Sequence, residues 1–328
     1  MRADRTRLPG VLAATAIAID PEDPVSGLEV GDRPEPSVPE GWVRVHVRAT
    51  SLNHHDVWSL RGVGLHPDQL PIILGCDAAG VTDDGREVLV HALIAEVDPA
   101  GGPDRVSILS ERHDGTFAEQ VVVPAGNLVD KPPELSFEDA ACLPTAWLTA
   151  YRMLFVRAGL RPGRRVLVQG AGGGVATAAL LLARAAGLHV TVTSRDEARL
   201  ERARQLGANV AVPVGERLPE RVHAVVETVG EATWDTSLKA LEPDGVVVVS
   251  GATSGPNPPA DLRRVFARQL RVVGSTMGTR AELVDLLRLL QVSGVRPVVA
   301  DVLPLTAARE ALGRLAAGEV FGKLVLRP

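Results

Sequence analysis

Residues 42–49 read WVRVHVRA, apolar and polar positions alternating with a period of two, the pattern of a half-buried strand. Runs at Glu87–Ala95 and Thr116–Pro124 have the same character. Val11–Ile19, apolar except for Thr15, predicts an early strand that runs into a turn at Pro21–Pro24. With Gly, Pro and Asp between the runs, this first part predicts a compact, barrel-like β domain. Near residue 130 the texture changes. Ser136 with Asp139 three positions on marks a helix start, and apolar residues recur to about Val156. Strands are then expected at Arg165–Gln169, Leu188–Ser194, Ala224–Glu227, Val246–Ser250 and Leu270–Gly274. Helices are expected at Val175–Ala186, Asp196–Leu206 (stopped by Gly207), Asp261–Gln269 and Ala281–Val292. Short, nearly continuous apolar strands separated by helices belong to a parallel sheet covered on both faces.

Composition narrows the class. A chain of 328 residues suggests two domains, and 45% apolar with 23% charged residues excludes disorder and fibre-like sequences. The net charge of −5 and an aromatic content of 3% give no basis for nucleic-acid binding. Cys76 and Cys142 are too few for a disulfide framework or a four-Cys zinc lobe, which points to a reducing, cytoplasmic setting. No stretch is apolar for long enough to cross a membrane as a helix. Arg2, Arg5 and Arg7 ahead of Val11–Ile19 resemble a short signal peptide, but the strand is the preferred reading because no disulfide framework follows.

The most informative segment is VLVQGAGGGVATAALLLARAAG. A predicted strand runs through Gly170, Gly172, Gly173 and Gly174 directly into a helix. Glycines let a backbone turn tightly and approach a pyrophosphate, whose charge is favoured at a helix N-terminus. The strict G-x-G-x-x-G fingerprint fails at Val175, whereas Gly170, Gly173 and Ala176 satisfy a shifted version. A bare tight turn is the plain alternative, but the strand before and the βα unit after favour a dinucleotide. The next strand ends Thr193-Ser194-Arg195-Asp196. Ser194 and Arg195, with Arg199 a helical turn on, suit the 2′-phosphate of NADP(H), whereas Asp196 or Glu197 would suit the ribose of NAD.

With these segments in place, the chain resembles the medium-chain dehydrogenase/reductase superfamily. The resemblance is carried by ATSLNHHDVW (49–58), PIILGCDAAG (71–80), GTFAEQVVV (115–123), LPTAWLTAYRML (143–154), the Gly170 loop, GSTMG (274–278) and GKLVL (322–326). It implies an α/β chain: a discontinuous GroES-like β-barrel catalytic domain (1–128 and 297–328) and a Rossmann doubly wound parallel sheet (129–296). Zinc members carry a Cys where this chain has Asn53, Gly-His-Glu where it has Gly75-Cys76-Asp77, and a Cys at Thr145. Zinc needs three protein ligands and an open position, so no metal is expected. His54 and His55 are sequence neighbours that would point apart.

Without a Lewis acid, the suitable electrophiles accept hydride at a conjugated carbon and delocalise charge onto a distant oxygen. The zinc-free quinone oxidoreductase branch is similar here. The expectation is an NADPH-dependent reductase of a small quinone or enone. Asn53 would donate to the developing oxyanion, and Thr145 would be a second polar group. A turn-capping Asn53 and a satisfied helix Thr145 are the alternatives. The resemblance places Thr149 on the nicotinamide face and Lys323 near the pyrophosphate. Thr228, Val229, Ser250 and Gly251 follow strands and so border the cofactor crevice. Cys76 reads as a small buried hydrophobe. An enoyl-thioester reductase serving a synthase, or a cofactor-binding protein with little turnover, remain alternatives. Leu270–Gly274 at the sheet edge suggests a homodimer joined through the Rossmann sheets.

Overall fold

The alternating run at Trp42 extends to a ten-residue strand, Trp42–Ser51, which organises the first of two compact units. The structure is a computed structural model that describes residues 10–96 and 105–328; Arg2, Arg5 and Arg7 lie outside these. The first unit holds the described residues through Thr145 together with Val299–Pro328, and the second is Ala146–Val298.

In the first unit, Trp42–Ser51 pairs antiparallel with Gln120–Pro124 along its first half and, from Val45 onward, with Asp77–Thr82. Its last residues pair with the C-terminal strand Lys323–Arg327. Glu87–Val90, Leu128–Asp130 and Val299–Pro304 complete this sheet. The early strand, Val11–Ala16, joins a separate three-stranded sheet with Leu28–Arg33 and Ile72–Ile73. Leu28, Leu60, Leu74, Phe117 and Leu312 are buried in the core beside it.

The register between Trp42–Ser51 and Asp77–Thr82 slips by one residue between Val47 and Ala49. Such a bulge re-aims the side chains beyond it, and here it sets Ser51 opposite Asp77. The expected single strand over Glu87–Ala95 is instead two, Glu87–Val90 and Leu93–Glu96, in different sheets. The Asn127 side chain donates to the carbonyls of His91 and Leu93 at 2.6 and 2.7 Å, meeting the backbone groups freed where the chain changes sheets.

The second unit is a six-stranded, wholly parallel sheet. From one edge its strands are Val210–Pro213, His189–Ser194, Arg165–Val168, Val222–Glu227, Leu241–Val249 and Arg271–Gly274. Numbered along the chain, that order is 3-2-1-4-5-6, whose winding reverses between the first and fourth strands and opens a crevice at their C-terminal ends. Val166, Leu167 and Val168 are fully buried, as a strand covered on both faces requires. The strand Val210–Pro213 is missing from the sequence expectation, because its residues are only half-buried and its run is four long. The helix expected from Ser136 begins as read, with Ser136 Oγ accepting the Asp139 N–H at 3.0 Å. Its course is broken into α and π turns, the latter at Leu143–Trp147 and Arg152–Arg157. Pro144 lacks the N–H that a regular helix needs there.

Candidate functional site

The polar corner of the first unit is built by three backbone segments. The end of Trp42–Ser51 leads into Asn53, the turn before Asp77–Thr82 supplies Cys76 and Asp77, and the C-terminal strand supplies Lys323. Gly75 enables the second: its φ is +91°, and a Cβ there would lie 2.3 Å from the Phe117 ring. Asn53 precedes the helix His54–Leu60 as its N-cap and forms a capping box with Asp56, while its side chain also reaches beyond the helix. The Asn53 amide Nδ2 donates to Asp77 Oδ2 at 2.8 Å, and the Asn53 Oδ1 accepts from Lys323 Nζ at 2.6 Å. The second Nδ2 proton meets only the Ser51 carbonyl at 3.4 Å and Cys76 Sγ at 3.6 Å.

Asp77 is fully buried and also accepts from Ser51 Oγ at 2.8 Å, while Lys323 Nζ lies 3.4 Å away. Its Oδ1 has no partner among the described residues. Lys323, 3% exposed, donates to the Leu52 carbonyl at 2.6 Å as well. Its three ammonium protons thus have three acceptors within this unit. The sequence places the side chain by family position; the pairing of Val325 with Ser51 turns it inward.

Cys76 is fully buried, with its Sγ 3.4 Å from Thr145 Oγ1 in the π turn. Burial pushes its thiol well above the ordinary range, aided by the nearby Asp56 and Asp77 charges, so it stays protonated. Asp56 is a site residue the sequence reading left without a role. It is fully buried, its Oδ2 accepts the Asn53 N–H at 2.7 Å, and its Oδ1 is unpartnered among the described residues. Burial raises its carboxyl to about 7. The spacing Asn53-x-x-Asp56, that of a capping box, was the available signal. His54 is exposed, whereas His55 turns to Ser110 Oγ at 3.4 Å and Ser59 Oγ at 3.5 Å.

In the second unit the Gly170 loop joins the strand Arg165–Val168 to the helix Gly174–Ala185. Gly170 and Gly172 have φ of +78° and +104°, which other residues rarely adopt. Gly173 is the N-cap, and Val175 stands in the first turn. Among the described residues no side chain caps this helix, and a Cβ on Gly173 would meet nothing within 4 Å. With no side chain capping them, the leading N–H groups are a fit for a pyrophosphate. Next to the loop is the strand tip carrying Ser194, buried, and Arg195, exposed. The Ala171 N–H donates to the Thr193 carbonyl at 2.8 Å, and Arg199 Nη1 reaches the Ala171 carbonyl at 3.4 Å. Asp196 caps its own helix, accepting the Ala198 N–H at 2.8 Å.

Thr228 and Val229 share that end of the sheet with Ser250 and Gly251: the Ser250 N–H donates to the Glu227 carbonyl at 3.0 Å. The turn is held by buried Glu227, whose Oε1 accepts the N–H groups of Val229 and Gly230 at 2.8 and 3.0 Å. Thr149 is buried in the same unit.

Residues 39–133 match the alcohol dehydrogenase GroES-like domain, and residues 174–292 match the zinc-binding dehydrogenase family. A zinc-type alcohol dehydrogenase-like protein of Schizosaccharomyces pombe is 32% identical, the alignment covering 93% of this chain and 97% of that one. An acryloyl-coenzyme A reductase of Metallosphaera sedula is 30% identical over 92% of this chain and 96% of its own. A crystal structure of an NAD-dependent alcohol dehydrogenase superposes with a TM-score of 0.88 at 36% identity, covering 97% of this chain and 99% of that one. The chain belongs to the medium-chain dehydrogenase/reductase superfamily. Its fold and relatives make it an oxidoreductase, with the nicotinamide-cofactor domain of that superfamily.

The zinc in the family's description does not fit the residues present. Where a catalytic site needs three soft or anionic ligands, this corner offers one thiol, a hydroxyl, an amide and a carboxylate paired with an ammonium. Among the described residues no three His, Cys, Asp or Glu side chains are grouped to hold a metal ion.

Proposed function

We propose that the chain is a zinc-independent, NADPH-dependent reductase of α,β-unsaturated carbonyl compounds, quinones and enoyl thioesters included. The observation that supports it most is Asn53, held between Lys323 and Asp77 where zinc relatives carry a metal ligand. A carbonyl reduced directly needs strong polarisation, whereas a conjugated one spreads its charge and is served by hydrogen bonds. When bound, the nicotinamide supplies a hydride to the substrate's β-carbon.

The chain's own residues do the rest. The uncapped N-terminus at Gly173 and Gly174 receives the pyrophosphate, with Gly170 and Gly172 letting the backbone come close. Ser194, Arg195 and Arg199 take the 2′-phosphate. That Asp196 serves as an N-cap for its own helix supports this reading over one with Asp196 on the ribose of NAD. Thr149, Thr228, Val229, Ser250 and Gly251 border the nicotinamide half. Asn53 Nδ2 donates to the carbonyl oxygen as the enolate forms, and Thr145 offers a second hydroxyl there. The α-carbon or oxygen then takes a proton from water.

An enoyl thioester is favoured over a quinone by the acryloyl-coenzyme A reductase relative. The test is consumption of NADPH and of NADH with crotonyl-coenzyme A, benzoquinone and ethanal. Reduction of the first or second with NADPH, undiminished by chelators, is expected. Turnover of ethanal alone, lost on chelation, overturns the proposal. Asn53→Ala is expected to lower kcat by about a hundredfold, the usual cost of one oxyanion donor.

A further inference from the structure

We infer that Lys323 is a positioning residue for the reaction, acting through Asn53 by fixing and polarising its side-chain amide. The inference rests on the reading of Asn53 as the oxyanion donor. An ammonium only donates, so the contact of Lys323 Nζ with the Asn53 side chain at 2.6 Å must be made to Oδ1. That fixes which way the amide faces: Nδ2 is directed to Asp77, with one proton left only long contacts to Ser51 and Cys76. A charged donor on an amide oxygen draws density from the nitrogen and strengthens what its protons donate. Charge developing on a substrate oxygen at Nδ2 is thus met by a chain that ends in a buried cation. The field of that cation is little screened at 3% exposure.

Asp77 keeps the pair near neutral before reaction, with Nζ to Oδ2 at 3.4 Å. That contact is longer than the ammonium's hydrogen bonds to Asn53 and Leu52, so the cation is set closer to the amide than to its counter-ion. The backbone enforces this: the Leu52 N–H donates to the Leu324 carbonyl at 3.0 Å, clamping Lys323 against the segment that carries Asn53.

The test compares Lys323→Met, Asn53→Ala and the double variant. Lys323→Arg serves as the conservative rescue. Lys323→Met with Asp77→Asn, which removes the carboxylate that would lose its counter-ion, replaces the single variant if that one fails to fold. Two readouts are used: NADPH consumption with crotonyl-coenzyme A beside NADPH affinity by fluorescence titration, and the Asn53 side-chain amide signals in nitrogen–proton NMR spectra. Lys323→Met is expected to lower kcat by about tenfold or more with NADPH affinity changed less than about twofold. In the Asn53→Ala background it should cost less than about twofold more. The Asn53 amide signals should move in Lys323→Met and return towards the parent in Lys323→Arg. Losses that multiply in the double variant, or amide signals that stay in place, overturn the inference while leaving the donor reading standing. A kcat unchanged in Asn53→Ala overturns the donor reading and this inference with it.

Discussion

An asparagine at the start of a helix ordinarily turns its side chain onto the helix's own N–H groups. At Asn53 the partnership is wider: Asp56 takes the Asn53 N–H, and the side-chain amide reaches Asp77 and Lys323. This division leaves Asp56 fully buried with one oxygen unmatched and a carboxyl raised to about 7, desolvation outweighing its backbone hydrogen bonds. In the unfolded chain the same group titrates near its ordinary value of 3.8. The native state therefore holds the proton more tightly. Stability contributed by Asp56 is full below about pH 4 and lost as pH rises to about 7, at roughly 1.4 kcal/mol for each pH step of one between those limits. Asp56→Asn keeps an acceptor for the Asn53 N–H and cannot ionise. Urea midpoints measured from about pH 5 to about pH 8 should fall less in the variant than in the parent, with the gap widest at the alkaline end. Parallel curves would mean that the carboxyl is not raised.

At the scale of elements, the sequence reveals what short-range pattern governs. The strand and helix of the Gly170 loop, the N-cap at Ser136 and the strand tip at Ser194-Arg195 stand where periodicity and capping residues put them. What it does not reveal depends on pairing across long separations. Lys323 meets Asn53 only because the last strand lies beside Trp42–Ser51, and the run at Glu87 splits only because Asn127 meets it at His91. The same holds for the buried chain in which Thr193 donates to Gln169, Gln169 to Ser237 and Ser237 to Glu227, which holds the turn at Val229. Gln169 lies 24 residues from Thr193 and 68 from Ser237, so no short-range pattern announces these contacts. The strand tip itself is testable. Arg195→Ala should weaken NADPH binding by about 1.5–3 kcal/mol, the worth of a charge-assisted contact, and leave NADH nearly unchanged. Arg199→Ala, whose guanidinium also leans on the Ala171 carbonyl, should show a smaller loss in the same titration. Equal losses for both cofactors would remove the 2′-phosphate from this end of the crevice.

At the scale of the whole molecule, the parallel sheet of the second unit ends at Arg271–Gly274, whose outer side has no paired strand among the described residues. The helix before it, Leu262–Ala267, does not bury its apolar face: Leu262 is 68% and Phe266 73% exposed, and Val272 on the strand is 50% exposed. An open edge flanked by apolar side chains suits a second copy of the chain, since a two-fold axis lets identical edges pair. We propose a homodimer of this kind. The direction of the unpaired groups follows from the ladder. The Ser275 N–H donates inward to the Val249 carbonyl at 2.8 Å. Positions two apart in a strand face the same neighbour, so Val273 also faces inward while the N–H groups of Val272 and Gly274 face out. Proline at 272 removes an outward donor and spares the inward ladder, as edge positions tolerate. Light scattering should find the parent dimeric at micromolar concentration and Val272→Pro shifted towards monomer with unchanged far-ultraviolet dichroism. A monomeric parent, or a folded Val272→Pro protein that stays fully dimeric, would place the interface elsewhere or remove it.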